Sequence, residues 1–210
     1  MTEKTSRKPS PARLRQEARI LRAAEKVFAG KGFSGSSMDA VAEAAGLSKQ
    51  NLIYYFPSKE TLYHRVLQDI LDLWMEKMAF IEDPQAEPAE LITAYIRGKL
   101  ELSRDYPDAS RVFAHEVING APVLKNYLLS HLKPLFERDS ARVRQWIADG
   151  KIDPIEPEHL FFCIWASTQT YADFASQIQL LLGKTKLEQE DFDKAASLLT
   201  RMVLNGIGAK

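Results

Sequence analysis

Residues 36–60 read SSMDAVAEAAGLSKQNLIYYFPSKE. Ser36 or Ser37 opens the stretch with a hydroxyl able to accept from exposed backbone N–H groups, and Asp39 suits the first turn of the helix that follows. Met38, Val41, Ala42 and Ala45 recur at helical spacing and are expected to face inward. Gly46 stands where a residue of positive φ ends a helix. Leu47 plugs the turn, Ser48 caps a second helix, and Leu52 and Phe56 anchor that helix to a core. Pro57 stops it, because the residue before a proline disfavours the helical region. The pattern is a helix-turn-helix, whose second helix enters the major groove of DNA.

With the anchors placed, the outward residues follow. Lys49, Gln50 and Ile53 point away near the start of the second helix, where base edges are read. A Gln amide pairs with adenine N6 and N7, and an aliphatic group meets a thymine methyl. Tyr54, Tyr55 and Lys59 suit phosphate contacts, which position without specifying. Ser37 and Ser48, at the two helix starts, complete the expected DNA-facing set. Taken singly, two tyrosines on a short helix more often pack in a core. Here capping, turn glycine, anchors and polar face all agree on a DNA-facing helix.

The run LIYYFPSKETL from Leu52 to Leu62, preceded by Ala24, Val27, Phe28 and Gly32-Phe33, resembles the DNA-binding domain of the TetR family of bacterial regulators. That resemblance implies a homodimer on double-stranded, palindromic operator DNA and a small-molecule effector pocket in the remaining helices. It also implies that the last two helices of each chain form a four-helix bundle with those of its mate. A pair of recognition helices about 34–36 Å apart reads such a palindrome.

The chain has 210 residues and a formal net charge of zero, which taken alone argues against nucleic acid. The distribution reverses this. Residues 1–65 hold 12 Lys and Arg against 6 Asp and Glu, and the rest hold 16 against 22. A basic head on an acidic body is an electrostatic footprint for phosphate at one end. The single cysteine, Cys163, allows no disulfide within the chain and fits a reducing cytoplasm. Neither a secretory leader nor an apolar run long enough for a membrane span is evident.

The expected organisation is all-α. Residues 1–10 form a flexible basic arm, 11–57 a three-helix DNA-binding head, and 58–210 a larger effector-binding and dimerisation domain. Ser58 caps a long helix to about residue 81 with Leu62, Val66, Ile70, Leu73 and Met78 on its buried face, followed by a loop at 83–88. Helices are expected at 89–104, 108–119, 123–149 (with Pro134 a kink or break), 157–182 and 187–205. The helix at 157–182 is apolar around most of its circumference, which predicts burial on several sides. The last helix carries a stripe of Phe192, Ala195, Leu198, Leu199, Met202 and Val203.

Trp165, Gln169 and Asp173 lie at i, i+4 and i+8 and line one helix face. An indole beside an amide and a carboxylate suits a flat ligand with a polar edge, and Trp74 is placed to close such a pocket. The residues alone leave two readings open: a pocket, or core tryptophans with Gln169 bonded to a neighbouring backbone group. Runs ILDLW at 70–74, KLELSRDYPDASR at 99–111, NGAP at 119–122 and IWASTQTYADFA at 164–175 are similar to the pyrimidine-utilisation regulators within the TetR family. That similarity implies an effector of the uracil or thymine type.

Other signals carry little. His115-Glu116 lacks the second histidine of a zinc-protease helix, and His159 with Cys163 supplies two metal ligands where a site needs more. No cofactor, metal or catalytic residue is expected. An enzyme using Asp173 or His115 as base leaves the helix-turn-helix without a purpose. A regulator of bulky hydrophobic compounds leaves Gln169 and Asp173 unexplained.

Overall fold

The computed structural model describes residues 10–78 and 86–209, all of its regular structure helical. The expected basic arm, apart from Ser10, and the first half of the 83–88 loop lie outside the described residues, as does the Met78 side chain. The chain divides into two compact units, Met1–Asp69 and Ile70–Lys210.

The first unit holds α1 (Pro11–Gly35), α2 (Met38–Ala44), α3 (Lys49–Tyr55) and the beginning of α4 (Lys59–Met78). Each start has a local cause. Ser10, Ser37 and Ser48 accept hydrogen bonds from the backbone N–H of Arg13, Ala40 and Asn51, and Ser58 Oγ accepts from Thr61. Between α2 and α3, Gly46 turns at φ +62°, and a Cβ there would stand 2.6 Å from the Arg19 guanidinium. The left-handed turn strains any residue with a side chain there, while the Arg19 guanidinium, the free end of a flexible side chain, can move aside. Ile20, Ala24, Phe28, Val41, Ala42, Leu52, Phe56, Leu62 and Val66 form the buried core. Tyr63 packs edge-on against Phe28, ring centres 4.9 Å apart. Because Leu62, Tyr63, Val66 and Leu67 all bury, the first turns of α4 pack with the head. The division falls inside α4, later than the expected boundary after Pro57.

The second unit is built around α5 (Pro88–Asp105), which packs between α9 (Pro157–Asp173) and α11 (Gln189–Gly206). Leu91, Ile92, Tyr95, Ile96 and Leu100 of α5 meet Phe161 and Ile164 of α9 and Phe192, Ala195 and Ala196 of α11 in one apolar cluster. Val143 and Trp146 of α8 (Lys133–Ala148) join it. Helix α6 (Pro107–Ile118) packs on α9, and buried Glu116 accepts from the backbone N–H of Val123 and Leu124.

Two expectations change. Upstream of Pro134 the helix neither breaks nor continues as regular α. A short α7 (Lys125–Tyr127) runs into a π-turn at Leu128–Leu132 and then into α8. Proline has no N–H and crowds the carbonyl four residues back, and a widened turn accommodates it. The expected helix at 157–182 is two. Phe174 leaves helical geometry at φ −112°, ψ 25°, separating α9 from α10 (Ala175–Leu182). Burial on several sides also fails within one chain: only Pro157, Phe161, Ile164, Thr168 and Ala172 of α9 are buried, and none of α10. Phe162, Phe174, Leu180, Leu181 and Leu182 are exposed, with Leu198 and Met202 of α11.

Candidate functional site

The head presents α3. Lys49 and Gln50 are exposed at its start, Ile53 stands out, and Tyr54 is 70% exposed. The alternative of core tyrosines is therefore set aside for Tyr54; Tyr55 is half-buried. Their rings meet at 90° and 5.2 Å. The Arg13 guanidinium lies 5.7 Å from one ring centre and 5.5 Å from the other, and is held by Glu17 at 2.7 Å. Arg13 escaped the sequence reading because nothing local links α1 to the tyrosines. Lys49 forms an exposed ion pair with Asp39 at 2.8 Å. Such a pair is weak in water and opens readily to a competing phosphate. Ser37 and Ser48 are exposed caps.

Lys59 is engaged within the head. Its ammonium donates to the carbonyls of Phe33 (2.9 Å) and Ser36 (3.0 Å) and sits 4.3 Å from the Phe33 ring centre. Two of its three donors thus close the C-terminal end of α1, where a cation satisfies orphan carbonyls. One donor of the ammonium remains for a phosphate.

In the second unit a cavity of about 60 Å³ is lined by Leu71, Trp74, Met75, Lys99, Phe113, Leu132, Trp165 and Gln169. Three of the four expected ligand residues thus come together: Trp74, Trp165 and Gln169. Trp74 stands edge-to-face with Phe113 at 4.5 Å. Trp165 is fixed through its indole N–H, which donates to the Tyr95 hydroxyl. The Gln169 amide makes no hydrogen bond to any described residue. The reading in which Gln169 serves a backbone group therefore falls.

Asp173 stands off this wall. Its carboxylate accepts from Ser110 Oγ at 2.6 Å, and burial raises its pKa against the opposing pull of Ser110, Arg111, Lys99 and His115. Lys99 was missed. It is 6% exposed, and its Nζ lies 5.1 Å from the Trp74 ring centre. Burial lowers its pKa to about 8, with Asp173 pulling the other way. Its register with Tyr95, Ile96 and Ser103, all buried on α5, was the available signal.

The head geometry defines a DNA-binding unit joined to a ligand-cavity unit, and the comparisons agree. Residues 20–66 match the model for bacterial regulatory proteins of the tetR family, and residues 67–210 that for the YcdC-like protein C-terminal region. The chain belongs to the TetR family of transcriptional regulators; it is a DNA-binding regulator and not an enzyme. It is 46% identical over 205 residues to the HTH-type transcriptional regulator RutR of Escherichia coli, covering 97% of this chain and 96% of that one. The ketosteroid transcriptional regulator KstR2 of Mycobacterium tuberculosis shares the fold, with TM-score 0.77 and 19% identity over 93% of this chain and 95% of that one. A TetR-like transcriptional regulator from Rhodococcus sp. RHA1 aligns with TM-score 0.70 at 25% identity, over 97% and 100% of the chains. No helix among the described residues is long and apolar enough to cross a membrane.

Proposed function

We propose that this regulator senses a free pyrimidine base of the uracil or thymine type in the α4–α5–α9 cavity and controls genes of pyrimidine breakdown from the cytoplasm. The observation that carries the reading is the unbonded Gln169 amide in the same cavity wall as Trp74 and Trp165. An amide offers one donor and one acceptor side by side, the complement of an imide N–H and C=O. The cavity is far below the several hundred Å³ of a drug-sized site. Its volume suits one ring and argues against bulky hydrophobic effectors. The likeness of the body to pyrimidine-utilisation regulators and the 46% identity to RutR support the same class.

The chain works as a homodimer in this reading. The exposed apolar side chains of α9, α10 and α11 supply the surface, and two heads then address a palindromic operator with Lys49, Gln50, Ile53, Tyr54 and Tyr55. Ligand and operator affinities are linked, so uracil must alter operator affinity by the factor that operator alters uracil affinity. Calorimetry on the folded dimer tests the effector. Uracil and thymine are expected to bind, and Gln169→Leu to lose about tenfold or more by leaving the ligand's polar edge unbonded. Wild type that binds no pyrimidine base at millimolar concentration overturns the effector assignment.

A further inference from the structure

Lys99 is a second polar group in the cavity without an accepting partner. Among the described residues no oxygen accepts a hydrogen bond from its ammonium; its close contact is the face of Trp74. The carboxylate that acts on it, Asp173, is engaged by Ser110. Buried cations in proteins are normally paired, and a buried polar group left without a partner calls for an explanation. Its 6% exposure sets it apart from a surface lysine, and the Asp173 charge acts on it without a direct bond between the two groups.

We propose that Lys99 donates a hydrogen bond to an exocyclic carbonyl oxygen of the effector, so that the cavity admits cyclic imides and ureides and rejects rings carrying an amino group there. The inference rests on the pyrimidine reading and sharpens it. A uracil-type edge presents C=O, N–H and C=O in sequence. The Gln169 amide engages the N–H and one neighbouring oxygen, which leaves the other oxygen for a donor. An ammonium has three donors and no acceptor, so it fits that oxygen and nothing else on the ring. A cytosine-type edge replaces one C=O with an amino group. Two donors then face each other, and Lys99 stays unbonded to the ring. The site therefore has a specific reason to refuse the amino base, beyond its preference for a flat ring.

The test uses the full chain, wild type and Lys99→Met, with uracil, cytosine, 2-pyrimidinone and 4-pyrimidinone as probes in calorimetry. The two pyrimidinones each lack one of the two oxygens. Wild type is expected to bind uracil about tenfold or more tightly than cytosine and than one of the two pyrimidinones, the effect of a lost charge-assisted bond. Lys99→Met is expected to bind uracil and that pyrimidinone equally. If wild type holds all four rings alike, or a folded Lys99→Met holds uracil within about twofold of wild type, the role of Lys99 is rejected while the pyrimidine reading stands. Wild type that binds none of the four rejects both. The wild-type comparison needs no variant, so it decides even if Lys99→Met does not fold.

Discussion

Lys99→Met also bears on the apoprotein, in the opposite direction to its expected effect on binding. Burial moves the Lys99 pKa from 10.5 to about 8, which corresponds to about 3 kcal/mol against the protonated folded state. The sign follows from proton counts. Between pH 8 and 10.5 the unfolded chain holds more protons at this position, so stability rises with pH across that window. Below about pH 8 the whole penalty is present. Methionine fills a similar volume beside Trp74 and carries no charge. Asp173 loses a favourable neighbour but keeps its bond to Ser110. The net expectation at pH 7 is a gain of about 1–3 kcal/mol, the range seen when buried charges give way to apolar groups. For a chain of this size that is a rise in melting temperature of about 2–4 °C per kcal/mol. Urea unfolding without ligand, followed by tryptophan emission and circular dichroism at pH 7 and about pH 9.5, measures it. The gap between the proteins should narrow at the higher pH. A variant less stable than wild type at pH 7, or a gap that ignores pH, refutes the reasoning.

Three further outcomes concern the head and the assembly. Lys49→Ala and Tyr54→Ala should weaken operator binding in a gel shift while leaving helicity unchanged; undiminished shifts for both remove α3 from the interface. Lys59→Met should destabilise the head by about 1–3 kcal/mol through the two carbonyls it abandons, and the salt slope of the remaining DNA binding should stay as in wild type. A slope reduced by about one restores the phosphate role. Met202→Glu should turn a dimer into monomer or insoluble protein, because a charge in an apolar interface is costly, and sedimentation of an unchanged dimer rejects that surface.

The readable parts of the sequence were those with local causes. Ser37, Gly46, Ser48 and Pro57 act on residues within a few positions of themselves, so α2, the turn and α3 could be placed in advance. The cavity face of α9 was readable because Trp165 and Gln169 share a helical register. What stayed hidden depends on distant partners. Lys59 bonds carbonyls of Phe33 and Ser36, acceptors that every residue has and no side chain announces. Asp173 has the register of Gln169 but is claimed by Ser110, 63 positions away. Lys99 sat in plain register with buried residues, yet a lysine on a helix is normally solvated. The interruption at Phe174 has neither glycine nor proline to mark it, and hydrophobic periodicity does not sense backbone angles.

The π-turn at Leu128–Leu132 has a consequence for the angular bookkeeping of its helix. A π-turn closes its hydrogen bond over one more residue than an α-turn, so the helix contains one surplus residue, and each α-residue turns the chain by about 100°. Everything before the turn is thus rotated by that angle relative to an unbroken α-helix ending in the same α8. This is what lets buried Leu124 and the Tyr127 hydroxyl, 3.3 Å from Asp72, coexist with Val143 and Trp146 on the core face of α8, while Leu132 lines the cavity. Deleting one residue between 128 and 132 would restore regular pitch, and the face now carrying Leu124 would swing away. The cavity wall at Leu132 is in effect a phase adjuster, set by the length of the chain through the turn.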